Sequence, residues 1–308
     1  MRQVPADLDG ERLDRIVALL GEMSRAQARQ LIESDGVTLN DEVVASPALR
    51  IAAGASVGFS LPEEPAPLVA EDVEFAVVWE DEHLAVIDKP AGIVTHPGAG
   101  NPTGTLVGGL LYRWPQVEGV GEEDRWGIVH RLDKGTSGLL VVAKTGAALE
   151  GLRRLIRDRS VGRTYLALVQ QPMAIETGTV DAPIDRDPNR PMRRRVHSAG
   201  RPARTHYEQL AAWSEHALLK IELETGRTHQ IRVHLTAIEH PVVGDRTYGA
   251  AAGDPADPGR VWLHSWKLAF EHPITGEAVR CETPLPGDLV ESLAGLGEPE
   301  NGGVPEIL

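Results

Sequence analysis

The stretch from Gly127 to Thr145, GIVHRLDKGTSGLLVVAKT, decides how the rest of the chain is read. Two apolar runs flank a polar loop carrying His130, Arg131, Asp133, Lys134, Thr136 and Ser137, so an acid and three potential cations are held at the mouth of a buried strand. A carboxylate there, close to Arg and Lys, stays ionised and can act as a nucleophile or a base. The plain alternative is an ion-paired turn capped by Asp133. For a lone Asp beside a Lys, that alternative is the better one, so the surrounding chain has to decide.

Working outward, Leu149, Leu152, Leu155 and Ile156 form a helical stripe, followed by a strand at Tyr165 to Val169. Val77 to Trp79 and Leu84 to Ile87 read as a strand pair around the acidic turn Glu80-Asp81-Glu82, and further strands fit Leu218 to Leu223 and Val261 to Phe270. Helix and strand do not alternate regularly, which points to an α+β domain rather than a doubly wound parallel sheet. In ETGRTHQIRVHL, Arg232 and His234 alternate with Ile231, Val233 and Leu235, placing both polar groups on one face of a strand or of a short helix start.

Residues 11 to 61 read as a separate unit. Leu13, Ile16, Leu19 and Leu20 fall at helical spacing, Ser24 stands as N-cap of a second helix bearing Ala28, Leu31 and Ile32, and short alternating segments follow. Arg25 and Arg29 are four apart on that second helix, on its solvent side. The domains expected are a small α/β unit at 1–62, a Pro- and acid-rich semi-rigid linker at 63–72, a catalytic domain at 73–290, and a disordered Gly, Pro and Glu-rich tail at 291–308.

Charge is unevenly spread. The net charge of −14 argues against a polyanionic partner, yet between Arg125 and Leu235 there are 19 Lys and Arg against 11 Asp and Glu, a basic middle in an acidic whole. Within it, Arg186 to Arg204 holds seven arginines, including Arg193, Arg194 and Arg195, on a loop rich in Pro and Gly. The single Cys281 excludes an internal disulfide and a thiolate zinc cluster, and His83, His96, His206, His229, His234 and His240 follow no metal-binding spacing. A charged N-terminus without a signal-peptide core, and no long apolar stretch, predict a cytoplasmic protein with no membrane partner.

The Gly127–Thr145 string resembles the signature of the RluA family of pseudouridine synthases, whose HRLD-x-x-TSGLL segment contains the catalytic aspartate. EDEHLAVIDKPAGIVTHPG, GRTYLALV, LETGRTHQIRVHL and HPVVGDRTYG are similar to family segments in the expected order, from Trp79 to about Pro286, while Gly135 departs from the acidic residue of many relatives. The stretch RLDRIVALLGEMSRAQARQLIESDGVTLND resembles the S4-type RNA-binding domain.

The resemblance implies the pseudouridine synthase fold, with a mostly antiparallel mixed sheet, and isomerisation of uridine in structured RNA; the domain order is most like enzymes that modify large-subunit (23S) ribosomal RNA. It assigns catalysis to Asp133, which attacks the sugar or removes a sugar proton to give a glycal. Tyr165, otherwise a core-filling strand aromatic, becomes the platform under the flipped uracil and a candidate base for carbon 5. Arg232 becomes the salt-bridge partner of Asp133, and Arg131 the side chain that fills the space the base vacates. RNA contact is implied for Arg227, Arg25 and Arg29, and by coincidence with such an enzyme for Arg193, Arg194 and Arg195. The reaction changes no oxidation state, so no cofactor and no metal are expected, and a monomer is. A non-catalytic RNA-binding protein and a glycoside hydrolase are the competing classes; the first leaves Asp133, Tyr165 and Arg232 unexplained together, the second lacks a marked second acid.

Overall fold

Ser24 opens the second helix as its sequence requires: its hydroxyl accepts the Gln27 amide and the Gln27 side chain returns to the Ser24 amide, a closed capping box. The computed structural model describes residues 1–34, 36–59, 68–98, 101–122, 125–190 and 192–305, and the chain divides into two units, Met1–Ala66 and Pro67–Leu308. The first contains β1 (Arg2–Gln3), β2 (Glu11–Arg12), α1 (Leu13–Leu20), α2 (Arg25–Glu33), β3 (Val37–Leu39), β4 (Glu42–Val43), β5 (Arg50–Ile51) and β6 (Ser56–Phe59). Its sheet runs β1-β6-β3-β4, with β2 and β5 paired separately. Leu13, Ile16 and Val17 of α1 and Ala28 and Ile32 of α2 bury against Val37, Ile51 and Val57.

The second unit contains β7 (Ala76–Glu80), β8 (Leu84–Lys89), α3 (Leu106–Arg113), β9 (Ser137–Ala143), α4 (Gly146–Arg157), β10 (Gly162–Gln170), β11 (Thr177–Asp181), β12 (Ile184–Arg186), β13 (Arg194–Val196), β14 (Arg204–Ala212), β15 (His216–Leu223), α5 (Gln230–Ala237), β16 (Leu263–Glu271), β17 (Ala278–Glu282), α6 (Gly287–Ala294) and β18 (Asn301–Gly302). The main sheet runs β11-β14-β15-β10-β16-β9-β8-β7, with β17 beside the far half of β16 and β18 beside the end of β14. Among the described strands every pairing is antiparallel except β9 with β16, which meet at His264–Ser137 and Ser265–Gly138. Gly138 adopts φ +109, and a Cβ there would run into the Ser265 backbone, so glycine is what lets the two strands close.

The run Leu139 to Ala143 is apolar throughout because both faces of β9 are covered. Leu140 and Val142 pack with Ala85, Ile87, Leu106 and Leu110 on the α3 side, while Leu139, Val141 and Ala143 pack with Leu84, Val86, Leu149 and Leu152 on the α4 side. The strand therefore emerges from a dry core straight into the Asp133 loop.

Two sequence expectations change at the domain edges. The tail is ordered as far as it is described: α6 continues to Ala294, Gly297 O accepts the Trp213 indole N–H at 2.9 Å, Glu300 N donates to Ala212 O, and β18 pairs with β14. Its few apolar side chains, Leu293, Leu296 and Val304, pack on the main core while its backbone bonds to an open strand edge, so a composition rich in Gly, Pro and Glu concealed it. The first half of the linker, residues 63–67, lies outside the described residues, but its last part packs on the catalytic unit, where Glu71 accepts the Gly104 amide at 2.7 Å and donates its own amide to Gly108 O. No helix among the described residues is long and apolar enough to cross a membrane.

Candidate active site

The Asp133 loop is held by its own carbonyls. Leu132 O accepts the Thr95 hydroxyl, Asp133 O the Thr136 amide, Lys134 O the Gly92 amide and Gly135 O the Arg260 guanidinium, so four successive carbonyls are fixed from four directions. His130 Nε2 accepts the Val141 amide at 3.1 Å and its imidazole is pushed down to about 3 by burial, with Arg163 adding repulsion; it is a neutral brace between loop and β9, not the cation its position suggested. Lys134 also turns away from Asp133, onto Asn101 at 2.9 Å.

The cations that do reach Asp133 come from elsewhere in the chain. Arg232 Nη1 donates to Asp133 Oδ2 at 2.9 Å, while its Nε and Nη2 grip Asp245 at 2.6 and 2.9 Å. Asp245 is 1% exposed and also accepts the Thr247 and Tyr248 amides, so it clamps the guanidinium with one free edge toward Asp133. Burial works against the Arg232 charge, but the hydrogen bonds to Asp245 and the attraction of both carboxylates outweigh it and hold the group above its usual value. Arg232 and His234 do not share a face. They lie on the helix α5, where His234 points away, accepting from Thr205 at Nδ1 and donating from Nε2 to Ala182 O.

His229 Nε2 stands 3.8 Å from Asp133 Oδ2, and its Nδ1 is hydrogen-bonded at 2.8 Å to the Tyr248 hydroxyl. Tyr248 lies between two guanidinium groups, Arg232 and Arg193, each 5.0 Å from its ring centroid, and its hydroxyl accepts the Arg194 amide at 2.7 Å. The basic hairpin β12–β13 is thereby tied to the Asp133 constellation through one aromatic ring. Arg193 lies over that ring and Arg194 reaches it through its backbone amide; Arg195 sits opposite Asp185 across the hairpin.

Lys89 is the other group drawn in. Fully buried at the end of β8, it donates to Pro90 O and Ile93 O at 2.8 and 2.9 Å, and burial pushes its ammonium down to about 7 against the attraction of Asp133. Because the folded chain releases this proton near 7 while the unfolded chain keeps it to about 10.5, stability rises with pH across that window. Lys89→Met should remove a rise of a few kcal/mol on the order expected for such a shift, read as the urea midpoint at pH 7 and pH 10. An equal rise in both proteins would reject the assignment.

Asp133, His229 and Arg232 open onto a cleft of about 800 Å³ whose lining also includes Tyr165, Arg131 and Arg227. Tyr165 is buried on β10, and burial raises its phenol above the ordinary value. Arg131 is exposed at the rim, donating to His96 Nε2 at 3.1 Å, which is free to accept because Nδ1 donates to Pro97 O. Arg227 reaches Pro202 O at 3.0 Å, and its charge is disfavoured by burial and by the neighbouring Arg201 and Arg159. In the first unit, Arg25 is exposed but folds its guanidinium back to the buried Asp14 at 3.1 Å, and Arg29 pairs with Glu33 at 2.9 Å. Arg12 and then Arg25 hold the Asp14 carboxyl down at about 2. Among the described residues no group of His, Cys, Asp and Glu is arranged to hold a metal ion.

The structure thus brings together Asp133, Tyr165 and Arg232, which sequence reasoning singled out, with Lys89, His229, Asp245 and Tyr248, which it did not, although all four lie in segments, DKPAG, GRTHQIR and VVGDRTYG, that carried the family resemblance. Comparison with known proteins identifies the family. A family model described as RNA pseudouridylate synthase matches residues 83–237, spanning Asp133, Tyr165 and Arg232, and an S4 domain model matches residues 11–57. The chain is 43% identical to ribosomal large subunit pseudouridine synthase D of Nitrosomonas europaea, over 95% of this chain and 86% of that protein. It is 40% identical to the protein of that name from Haemophilus influenzae, over 96% and 94%. The solved structure of human RNA pseudouridylate synthase domain containing 1 superposes with a TM-score of 0.60 at 28% identity, covering 76% of this chain and 92% of that one.

Proposed function

This chain belongs to the RNA pseudouridylate synthase family, and from that membership we propose that it isomerises specific uridines of large-subunit ribosomal RNA, with Asp133 as the reacting carboxylate. The observation that carries the assignment of roles is the Arg232–Asp133 pair at 2.9 Å, opening on an arginine-lined cleft and backed by a bidentate Asp245. The substrate follows from the names of the relatives and from the S4 match.

The chemistry asks little of the protein beyond this. The bond from ribose carbon 1 to uracil nitrogen 1 breaks, the base turns in place, carbon 1 bonds to carbon 5, the proton on carbon 5 leaves and nitrogen 1 gains one. Asp133 supplies the ionised carboxylate for the first step, and Arg232, itself locked by Asp245, keeps it charged and aimed. The uridine is extruded to reach it, with Arg131 at the rim entering the vacated stack and Tyr165 lying under the uracil. Since burial raises the Tyr165 phenol, its platform role is favoured over that of a free phenolate base. Arg227 and the Arg193–Arg195 hairpin contact phosphate, and Arg25 and Arg29 contribute RNA contacts from the S4-like unit at 1–62. It acts as a monomer, in the cytoplasm where it meets ribosomal RNA.

The test is release of tritium from large-subunit ribosomal RNA labelled at uracil carbon 5. The full chain should release it and leave pseudouridine at the labelled positions. Tight binding without release would reduce the protein to an RNA-binding module, and free uracil would make it a hydrolase.

A further inference from the structure

Arg163 is the second residue of β10, two before Tyr165, and strand alternation puts both side chains on the face that lines the cleft. It is 6% exposed, its Nε has no hydrogen-bond partner, and among the described residues no carboxylate or carbonyl meets the guanidinium. The loop over it comes so near that a Cβ on Gly226 would lie 2.8 Å from Nη1. Its charge bears on His130 and Tyr165, both neutral rings at pH 7.

The rest of the wall adds positive charge. Arg159, Arg201 and Arg227 line the same cleft; of its acids, Asp133 is held by Arg232 and Glu122 by Arg125 and Arg153, which leaves Glu224. That carboxylate is already divided between Arg159 at 2.8 Å, Arg204 at 3.4 Å and His206 at 2.8 Å. A guanidinium withdrawn from water with no counter-charge costs several kcal/mol, and an arrangement of this kind is sustained when a ligand brings the missing charge. A uracil carbonyl could satisfy a donor but could not neutralise the charge, so the occupant has to be an anion.

We propose that Arg163, with Arg201 and Arg227 at its rim, is the seat of one RNA backbone phosphate, the one adjoining the extruded uridine. The seat rests on the RNA-modifying reading above and extends it. Two residues along a strand separate side chains by roughly 7 Å, so a base on Tyr165 and a phosphate on Arg163 fit one nucleotide. The phosphate then fixes the ribose between them, over Asp133.

The experiment measures binding of the full chain to a ribosomal RNA fragment that supports tritium release, across a salt series, for the wild type, Arg163→Met and Arg163→Lys. Arg163→Met should weaken binding roughly ten- to a hundredfold, the worth of a charge-assisted contact. It should flatten the slope of log K against log salt by about 0.7, as expected for one single-strand phosphate. Arg163→Lys should restore the slope and part of the affinity. A neutral methylphosphonate at the linkage beside the modified uridine should weaken the wild type by a similar factor and Arg163→Met no further.

The melting temperature separates this from a framework role. Removing an uncompensated buried charge should raise it by a few degrees, whereas loss of a structural residue lowers it. An unchanged salt slope, or a methylphosphonate penalty equal in wild type and Arg163→Met, overturns the seat while tritium release by the wild type leaves the enzymatic reading intact. Absence of release by the wild type removes that reading, and the seat falls with it.

Discussion

Asp133→Asn should bring tritium release down on the order of 10⁴-fold or more, the scale seen when a reacting group is removed, while the chain folds as before. The fold is spared because Asp133 is the less committed of Arg232's two partners. Its side chain is 17% exposed, and when its charge is removed Arg232 keeps both hydrogen bonds to Asp245. Asparagine retains the shape and can still accept from Nη1, so the urea midpoint should shift by no more than about 1 kcal/mol in stability. What disappears is the negative charge that the sugar has to meet. Turnover above one part in a hundred in a folded variant would move the chemistry to another residue.

Arg232→Met should do the opposite in proportion: a loss of about 3–5 kcal/mol in stability together with loss of turnover. Here a buried cation is removed from between two carboxylates, and Asp245, at 1% exposure, is left with two backbone amides and no counter-charge. Arg232→Lys should fall between them, because an ammonium cannot fork to Asp245 and still reach Asp133. A double change, Arg232→Met with Asp245→Leu, removes both buried charges and should recover much of the stability but none of the turnover. If Arg232→Met alone is as stable as the wild type, the clamp does not carry the energy assigned to it.

What the sequence displayed and what it hid divide along physical lines. The double-faced burial of β9 was visible as an unbroken apolar run, and the helical stripe at Leu149–Ile156 was visible as α4. Residues that meet only through tertiary contact were not. Lys134 is beside Asp133 in sequence yet points to Asn101, while Lys89 and Asp245, far away along the chain, converge on the Asp133–Arg232 pair. The segment around Arg232 misled for a different reason. Ile231, Val233 and Leu235 alternate, which left strand and helix start both open and put Arg232 and His234 on one face, but Gln230 to Leu235 are all buried, so no polar face was left to betray the helix. His229, at φ +58, makes the turn that starts it, a backbone state that residue type alone does not announce.

The one parallel junction among the described strands has a kinetic side. β7, β8 and β9 pair as neighbours in sequence, as do β14 and β15, whereas β16 returns from far along the chain to meet β10 at Tyr165–Ser265 and β9 across a span of 127 residues through two residue pairs. Closing so long a loop comes late relative to local pairing. Asp133 belongs to the early half and Arg232, Asp245 and Tyr165 to the other, so a nascent or half-assembled chain holds a carboxylate with no partner and no cleft. Competence for chemistry arrives together with the completion of folding, and an incomplete enzyme is thereby a silent one.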